Sequence, residues 1–392
     1  MRSSPFFHFL LRLLYQQKGK HIGAMVISVL MIFLLSSVLF VSSALQHSMM
    51  QTLQGEPDFT VSRVRAGVPA PLPLDWIDEI SQLNGVTSVV PRVYGRYYFT
   101  PKGDSFLVVG VDMFDEQNIH AISTLLHEVN LQAFLAKPSM FVGEGVKHFL
   151  KRHYFSDHFN FKMPNGHFKE VAIVDVLPHN TNLLASNMVL MPLALAQEIF
   201  GFSSEEVSDI SFNVPNDAEW RTIQNKLQWM FYDVRVVTKK EIKEAYIHLF
   251  NYKGGLFLAL YLVAMLTFML ILYQRYTMVY TTERKEIGIL RAVGWSINDI
   301  LRLKLYENMT IVGVSFLVGV VLAYGYVFLL DAPLLRQIFL GSGTLLESIS
   351  FVPYIPFGLL GSLFLMYAVP FLVAVLVPAW RVAVTPPKEA ML

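Results

Sequence analysis

Long apolar runs and stretches of mixed polarity divide this chain sharply. Four runs stand out, at residues 22–45, about 254–273, about 309–330 and about 354–377. A helix crossing a bilayer takes about 20 apolar residues, so each run predicts a membrane span. Between the first and second, the apolar positions recur at the short periods of soluble structure. Stretches 58–63, 86–91, 94–100, 105–111, 171–176, 187–191, 209–214 and 233–237 read as strands. Stretches 73–83 and 218–231 read as helices. The predicted fold class is membrane α-helical, with four transmembrane helices and an inserted α+β extracytoplasmic domain. Subdivisions of that domain are expected near 112–135 and 202–208.

Two flanking segments extend the pattern. Phe6, Phe7, Phe9, Leu10, Leu13 and Leu14, with Arg12, Lys18 and Lys20, read as a helix lying on the cytoplasmic surface. A plain extension of the first span is the alternative. Lys239, Lys240, Glu241, Lys243 and Glu244 interleave with Ile242, Tyr246, Ile247, Leu249 and Phe250 at helical spacing. That pattern runs into the second span across Gly254-Gly255. Each glycine costs a helix about 1 kcal/mol, which a bilayer-anchored helix tolerates, so one continuous helix is predicted.

Composition agrees. The 392 residues are 54% hydrophobic and 16% charged, against roughly 25% charged in soluble domains. A net charge of +1 gives no electrostatic case for nucleic acid. The absence of cysteine excludes disulfides, thiolate metal sites and cysteine nucleophiles. The first run is preceded by basic residues and ends in Ser42, Ser43 and Ala44, as a signal peptide could. It is longer than the roughly 7–15 apolar residues of a signal sequence, so a retained anchor is expected.

Lys and Arg set the orientation. Arg2, Arg12, Lys18 and Lys20 precede the first span. Arg275, Arg284, Lys285, Arg291, Arg302 and Lys304 lie between the second and third, and Arg381 and Lys388 follow the fourth. The loop between the third and fourth carries Arg336 alone, beside Asp331 and Glu347. Both termini and the second-to-third loop are therefore expected in the cytoplasm. The domain plan is a cytoplasmic amphipathic helix (1–21), spans at 22–46, 251–276, 308–330 and 354–378, an external domain (47–250), a cytoplasmic loop and helix (277–307), an external loop (331–353) and a cytoplasmic tail (379–392). No charge falls near the middle of a predicted span, which argues against ion-coupled transport.

Chemistry is sparse. His148, His153 and His158 are spaced by five, sit among Lys147, Lys151, Arg152 and Lys162, and with His167 read as a solvated basic surface rather than a metal site. Tyr94, Tyr97, Tyr98 and Phe99 could line an apolar path, but such aromatics are more often simple strand core. There is no catalytic constellation and no P-loop.

The most informative stretch is Glu283, Arg284, Lys285, Glu286, Ile287, Gly288, Ile289, Leu290, Arg291, Ala292, Val293, Gly294 and Trp295. Ile287, Leu290 and Val293 fall at helical spacing, Gly288 permits close approach of another backbone, and Gly294 stands as a helix stop. A short helix with an apolar face and charged edges needs a partner protein. A basic loop resting on anionic lipid is the alternative, weakened by Glu283 and Glu286.

This stretch resembles the signature of the FtsX/MacB/LolC-type ABC permeases, E-R-x-x-E-I-G-x-L-R-A-x-G. The C-terminal Pro378-Ala379-Trp380-Arg381 and Pro386 to Leu392 resemble the family's closing motif. Val142 to Val146 and Val189 to Leu193 resemble its periplasmic core. The resemblance implies a non-catalytic permease subunit that pairs with a second, identical or homologous one. It also implies two cytoplasmic ABC ATPase subunits that bind the ATP and Mg, with no cofactor in this chain. Glu283, Arg284, Glu286, Ile287, Gly288, Ile289, Leu290, Arg291, Ala292 and Gly294 would form the helix that docks on the ATPase. Work would be done outside by mechanotransmission on a hydrophobic, lipid-linked or lipoprotein-like substrate, with membrane lipids and a periplasmic or outer-membrane protein as further partners. The alternative is a regulatory subunit that activates a periplasmic partner without transport. Phe155 to His158 departs from the family's usual Gly-Asp turn.

Overall fold

The computed structural model describes residues 18–99, 104–112, 137–177, 185–340 and 351–384. The 5–17 segment, the first expected subdivision and Pro386 to Leu392 lie outside the described residues. Two compact units divide near residues 45 and 250.

The helical unit is built on four long helices, Lys18–Gln54, Lys239–Ala292, Ile297–Tyr324 and Phe357–Val384. All four contain stretches long and apolar enough to cross a membrane. Many of their apolar side chains stay exposed, among them Leu262, Val263, Leu266, Leu317 and Val321, as suits a surface solvated by lipid. The helices meet through small residues. Ser28, Ser36 and Ser315 are buried, and a Cβ on Gly319 would stand 2.8 Å from Ile32 Cβ and 3.1 Å from the Val29 carbonyl oxygen. Small residues let helix backbones approach where lipid removes the hydrophobic drive for association.

The second helix runs unbroken through Gly254 and Gly255, as predicted, and then through the cytoplasmic stretch to Ala292. The short separate helix expected there is the end of a 54-residue one, because no Gly or Pro interrupts 256–287. The third helix starts at Ile297, so Lys304 and Glu307 lie inside a long helix and not in a loop. It ends in a π-helical turn, Gly325–Leu329. There Phe328 stacks on Phe40 of the first helix and Tyr326 meets Phe33 edge-on. The expected external loop contains a further helix, Pro333–Leu340.

The α+β unit holds strands β1 (Phe59–Arg65), β2 (Val68–Ala70), β3 (Leu72–Pro73), β4 (Thr87–Phe99), β5 (Asp104–Val111), β6 (Ser139–Val142), β7 (His158–Lys162), β8 (Phe168–Val176), β9 (Met188–Pro192), β10 (Glu206–Val207), β11 (Asp209–Asn213) and β12 (Val234–Thr238). Ten form one sheet in the order β12-β1-β11-β4-β5-β9-β6-β8-β7, with β2 on β1. The β5–β9 and β6–β8 pairs are parallel. Helices Trp76–Ser81, Glu144–Arg152, Leu193–Phe200 and Trp220–Met230 complete the unit. Its core joins Phe59 stacked on Phe212 (5.0 Å) to Phe106, Phe159 and Phe161.

Sequence pattern missed β6, β7 and the helices at 144–152 and 193–200. β6 is buried at every position, so it lacks the alternation that marks a half-exposed strand. The break expected at Pro91 to Val93 is absent, and β4 is continuous. Its first part pairs β11, and pairing with β5 begins at Arg92. Pro91 thus has a neighbour on one side only, where a missing N–H need not remove a ladder bond.

Candidate functional site

The second and third long helices are joined by a tight turn. Ala292 ends one, and Gly294 follows with φ +105°. The Gly294 N–H donates to the Arg291 carbonyl (3.0 Å) and the Trp295 N–H to that of Leu290 (3.1 Å). This is a Schellman closure, which needs glycine at the left-handed position. The next helix starts at once. Ser296 caps it by accepting from the Asp299 N–H (3.2 Å), and the Asp299 carboxylate accepts from the Ser296 N–H (3.1 Å) and Oγ–H (2.6 Å). Stop and start signals together hold the tip between two helix ends.

The residues of this stretch divide by side. Ile287 and Gly288 are buried. Leu290 and Arg291 are half-buried, while Ala292 and Gly294 are exposed. Ile289 is 56% exposed and Val293 76%, four residues apart on one face. The expected apolar face of Ile287, Leu290 and Val293 is divided, with Ile287 buried, Leu290 half-buried and Val293 exposed. Ile287 anchors the helix inward, and the free ridge is Ile289 and Val293. Periodicity found an apolar stripe but could not say which part the bundle uses. Glu283, Arg284 and Glu286 fall within the same helix.

The fourth helix reaches this tip. The Arg291 Nη1 donates to the Ala383 carbonyl (3.1 Å), and the Arg381 Nη1 donates to the Tyr273 hydroxyl (2.7 Å). The two signature stretches of the sequence thus meet in space. Lower on the same side lies a network that sequence reading missed. Lys304 and Glu307 pair at 2.9 Å with side chains 8% and 2% exposed. The Asn308 Nδ2 donates to the Lys304 carbonyl (2.8 Å), and its Oδ1 accepts from the Tyr276 hydroxyl (2.9 Å). The Lys-Glu spacing of three was the available signal.

Residues 258–387 match the family described as FtsX-like permease C-terminal. The match takes in 130 of the 392 residues. Such permeases are the membrane subunits of ABC transporters and work with ATPase partners. The matched residues take in the Gly294 turn, the Arg291–Ala383 and Arg381–Tyr273 contacts and the Lys304–Glu307 pair. Among solved structures, the periplasmic region of MacB from Actinobacillus actinomycetemcomitans aligns at 11% identity and TM-score 0.31. That alignment covers 49% of this chain and 94% of that one. The extracellular domain of the noncanonic ABC-type transporter YknZ from Gram-positive bacteria aligns at 12% identity and TM-score 0.28, covering 46% and 99%. No curated protein matches the chain.

In the α+β unit, Val142 to Val146 and Val189 to Leu193 come together. Phe141 and Val142 pair with Leu190 and Val189, and the Gly143 N–H donates to the Met188 carbonyl (2.8 Å). The histidines do not converge. His148 lies 3.1 Å from Glu144, the His153 Nδ1 is 2.8 Å from the Phe149 carbonyl oxygen, and His158 is exposed on β7. Among the described residues no histidine, aspartate or glutamate group is arranged to hold a metal ion. Tyr97 and Phe99 pack into the aromatic core, whereas Tyr94 and Tyr98 point outward, 48% and 65% exposed. Burial raises the Tyr97 hydroxyl pKa, partly opposed by the hydrogen bond from the Lys162 N–H. The aromatic run is thus half core and half surface.

Proposed function

We propose that this chain is the transmembrane subunit of an ATP-driven ABC transporter, docked on its ATPase through residues 283–294. The observation that carries the reading is the Ile289–Val293 ridge, exposed at a tip held by a Schellman closure and a capping box. An apolar ridge beside charged residues suits a protein groove. A rigid tip transmits a push where a loop would absorb it. The ATPase would bind the ATP and Mg, and a second permease subunit would complete the assembly in a bacterial inner membrane.

The unbroken helix from Lys239 to Ala292 would carry ATPase movement outward as mechanotransmission. The substrate we infer is hydrophobic, lipid-linked or lipoprotein-like, and handled on the extracytoplasmic side. Its support is a cavity of about 410 Å³ in the outer half of the helix bundle. Met31, Leu34, Phe257, Leu260, Tyr326 and Leu334 contribute to its almost wholly apolar lining.

The docking is directly testable, because the chain has no cysteine. Val293→Cys supplies a single exposed thiol for a short heterobifunctional cross-linker. We expect a one-to-one adduct with the co-expressed ATPase, and no adduct from Leu262→Cys on the lipid-facing side. Equal yields at the two positions would rule the docking out.

A further inference from the structure

The helical unit carries a second groove, formed by its third and fourth long helices. Asn298, Arg302 and Leu305 line it from one helix, and Val369, Val373 and Trp380 from the other. Those positions recur at i, i+4 and i+7 or i+11, so each set is one stripe of its helix, and the two stripes form the walls. The groove holds about 730 Å³. Its polar groups gather at one end. Arg302 and Asn298 are exposed there, and Trp380 is 54% exposed. The rest of the lining is leucine and valine.

Three observations say what such a groove takes. The distribution of Lys and Arg puts the polar end on the cytoplasmic side. From Val369 to Trp380 the fourth helix rises about 16 Å at 1.5 Å per residue, close to half of the roughly 30 Å hydrocarbon core. The groove therefore runs the depth of one leaflet. Its mouth offers the Arg302 guanidinium, which makes no hydrogen bond among the described residues and acts on Asp299 only through its charge. The nearest acid on that helix, Asp299, accepts from the Ser296 N–H and hydroxyl. Arg381, next to Trp380, is turned onto Tyr273. A permanent cation with several donors suits a phosphate oxygen, and an interfacial tryptophan marks headgroup level.

We propose that this groove is a binding site for an anionic phospholipid of the cytoplasmic leaflet, with its phosphate on Arg302 and one acyl chain along Leu305, Val373 and Val369. The proposal rests on the orientation of the bundle and not on ATPase docking, so either can fail alone. Sitting where the third and fourth helices approach the Ser296-capped turn, a bound lipid would wedge the bundle beside its cytoplasmic tip.

The test is lipid retention by the purified full-length chain in mild detergent, read by native mass spectrometry. Phosphatidylglycerol and phosphatidylcholine with identical acyl chains are the probes. One basic residue at a membrane surface contributes about 1 kcal/mol toward an anionic lipid, or about fivefold. We expect about fivefold preference for phosphatidylglycerol, falling to near unity in Arg302→Gln, an exposed substitution. Val373→Trp, which fills the groove and leaves the charge, should lower retention of both lipids. Glycerol phosphate without acyl chains should not compete. No headgroup preference in the parent chain, or a preference unchanged in Arg302→Gln, would overturn the proposal. So would displacement by glycerol phosphate alone, or a Val373→Trp variant that loses chain-to-chain association while keeping its lipid.

Discussion

Arg92 stands on β4 with its Nε 2.9 Å from Asp209 Oδ1 and its Nη1 3.7 Å from Glu56 Oε2. Desolvation favours the neutral form, but the charge and hydrogen bond of Asp209 outweigh it, so the Arg92 pKa is raised. Arg92→Met leaves Asp209 buried without its cation. Loss of one partner of a buried pair costs about 3–5 kcal/mol. With side chains 15% and 10% exposed, we expect the low end, about 3 kcal/mol. Thermal unfolding of the full chain should show this, and Arg92→Met with Asp209→Leu should recover most of the loss. Asp233 gives a pH signature. It is desolvated, but hydrogen bonds from Arg63 and Arg65 at 2.7 and 3.0 Å outweigh that and hold its pKa below the usual carboxylate value. A depressed folded pKa means this stability is complete above the unfolded pKa, about 3.9, and is lost as pH falls through the folded value. Unfolding midpoints from pH 6 to pH 3 should fall less steeply in Asp233→Asn than in the parent. Neither pair could be read beforehand, since Arg92 and Asp209 are 117 positions apart and only the sheet order brings them together.

Among elements, the turn at 293–296 and the approach of the first and third long helices decide most. A side chain at the φ of +105° of Gly294 is strained, and the left-handed region costs other residues about 1–2 kcal/mol. Ser296→Ala removes a capping box worth about 1 kcal/mol. Both variants should lower the detergent melting temperature modestly and loosen proteolytic protection at the tip first. Gly319→Leu should be worse, because its Cβ meets Ile32 and the Val29 carbonyl in the first helix. Separation of those helices should show as a larger drop in melting temperature than Gly313→Leu, where a Cβ meets nothing within 4 Å. The four apolar runs, the helix through Gly254-Gly255 and the Gly294 stop were legible in sequence because each rests on local composition. The continuity of β4 through Pro91 and the wholly buried β6 were not. Each depends on neighbours that local pattern does not contain.

For the whole molecule, the separation of roles follows from where polarity is placed. The α+β unit is an ordinary half-polar sheet with an aromatic core. In the helical unit, a buried Lys304–Glu307 pair and a Tyr276–Asn308 bond lie near the tip where ATPase force would arrive. The candidate site was half legible. Its glycine stop could be read from the sequence, whereas the burial of Ile287 and Gly288 could not. An aspartate at Gly288 would damage the bundle and the docking together. Ile289→Asp with Val293→Asp is the cleaner variant, since both side chains are largely exposed. The measurement that bears most directly on the account is ATP hydrolysis by the reconstituted complex of this chain with its ATPase. The double variant should keep the parent's melting temperature and lose the permease-dependent part of the ATPase rate. An unchanged rate in a folded double variant would contradict it.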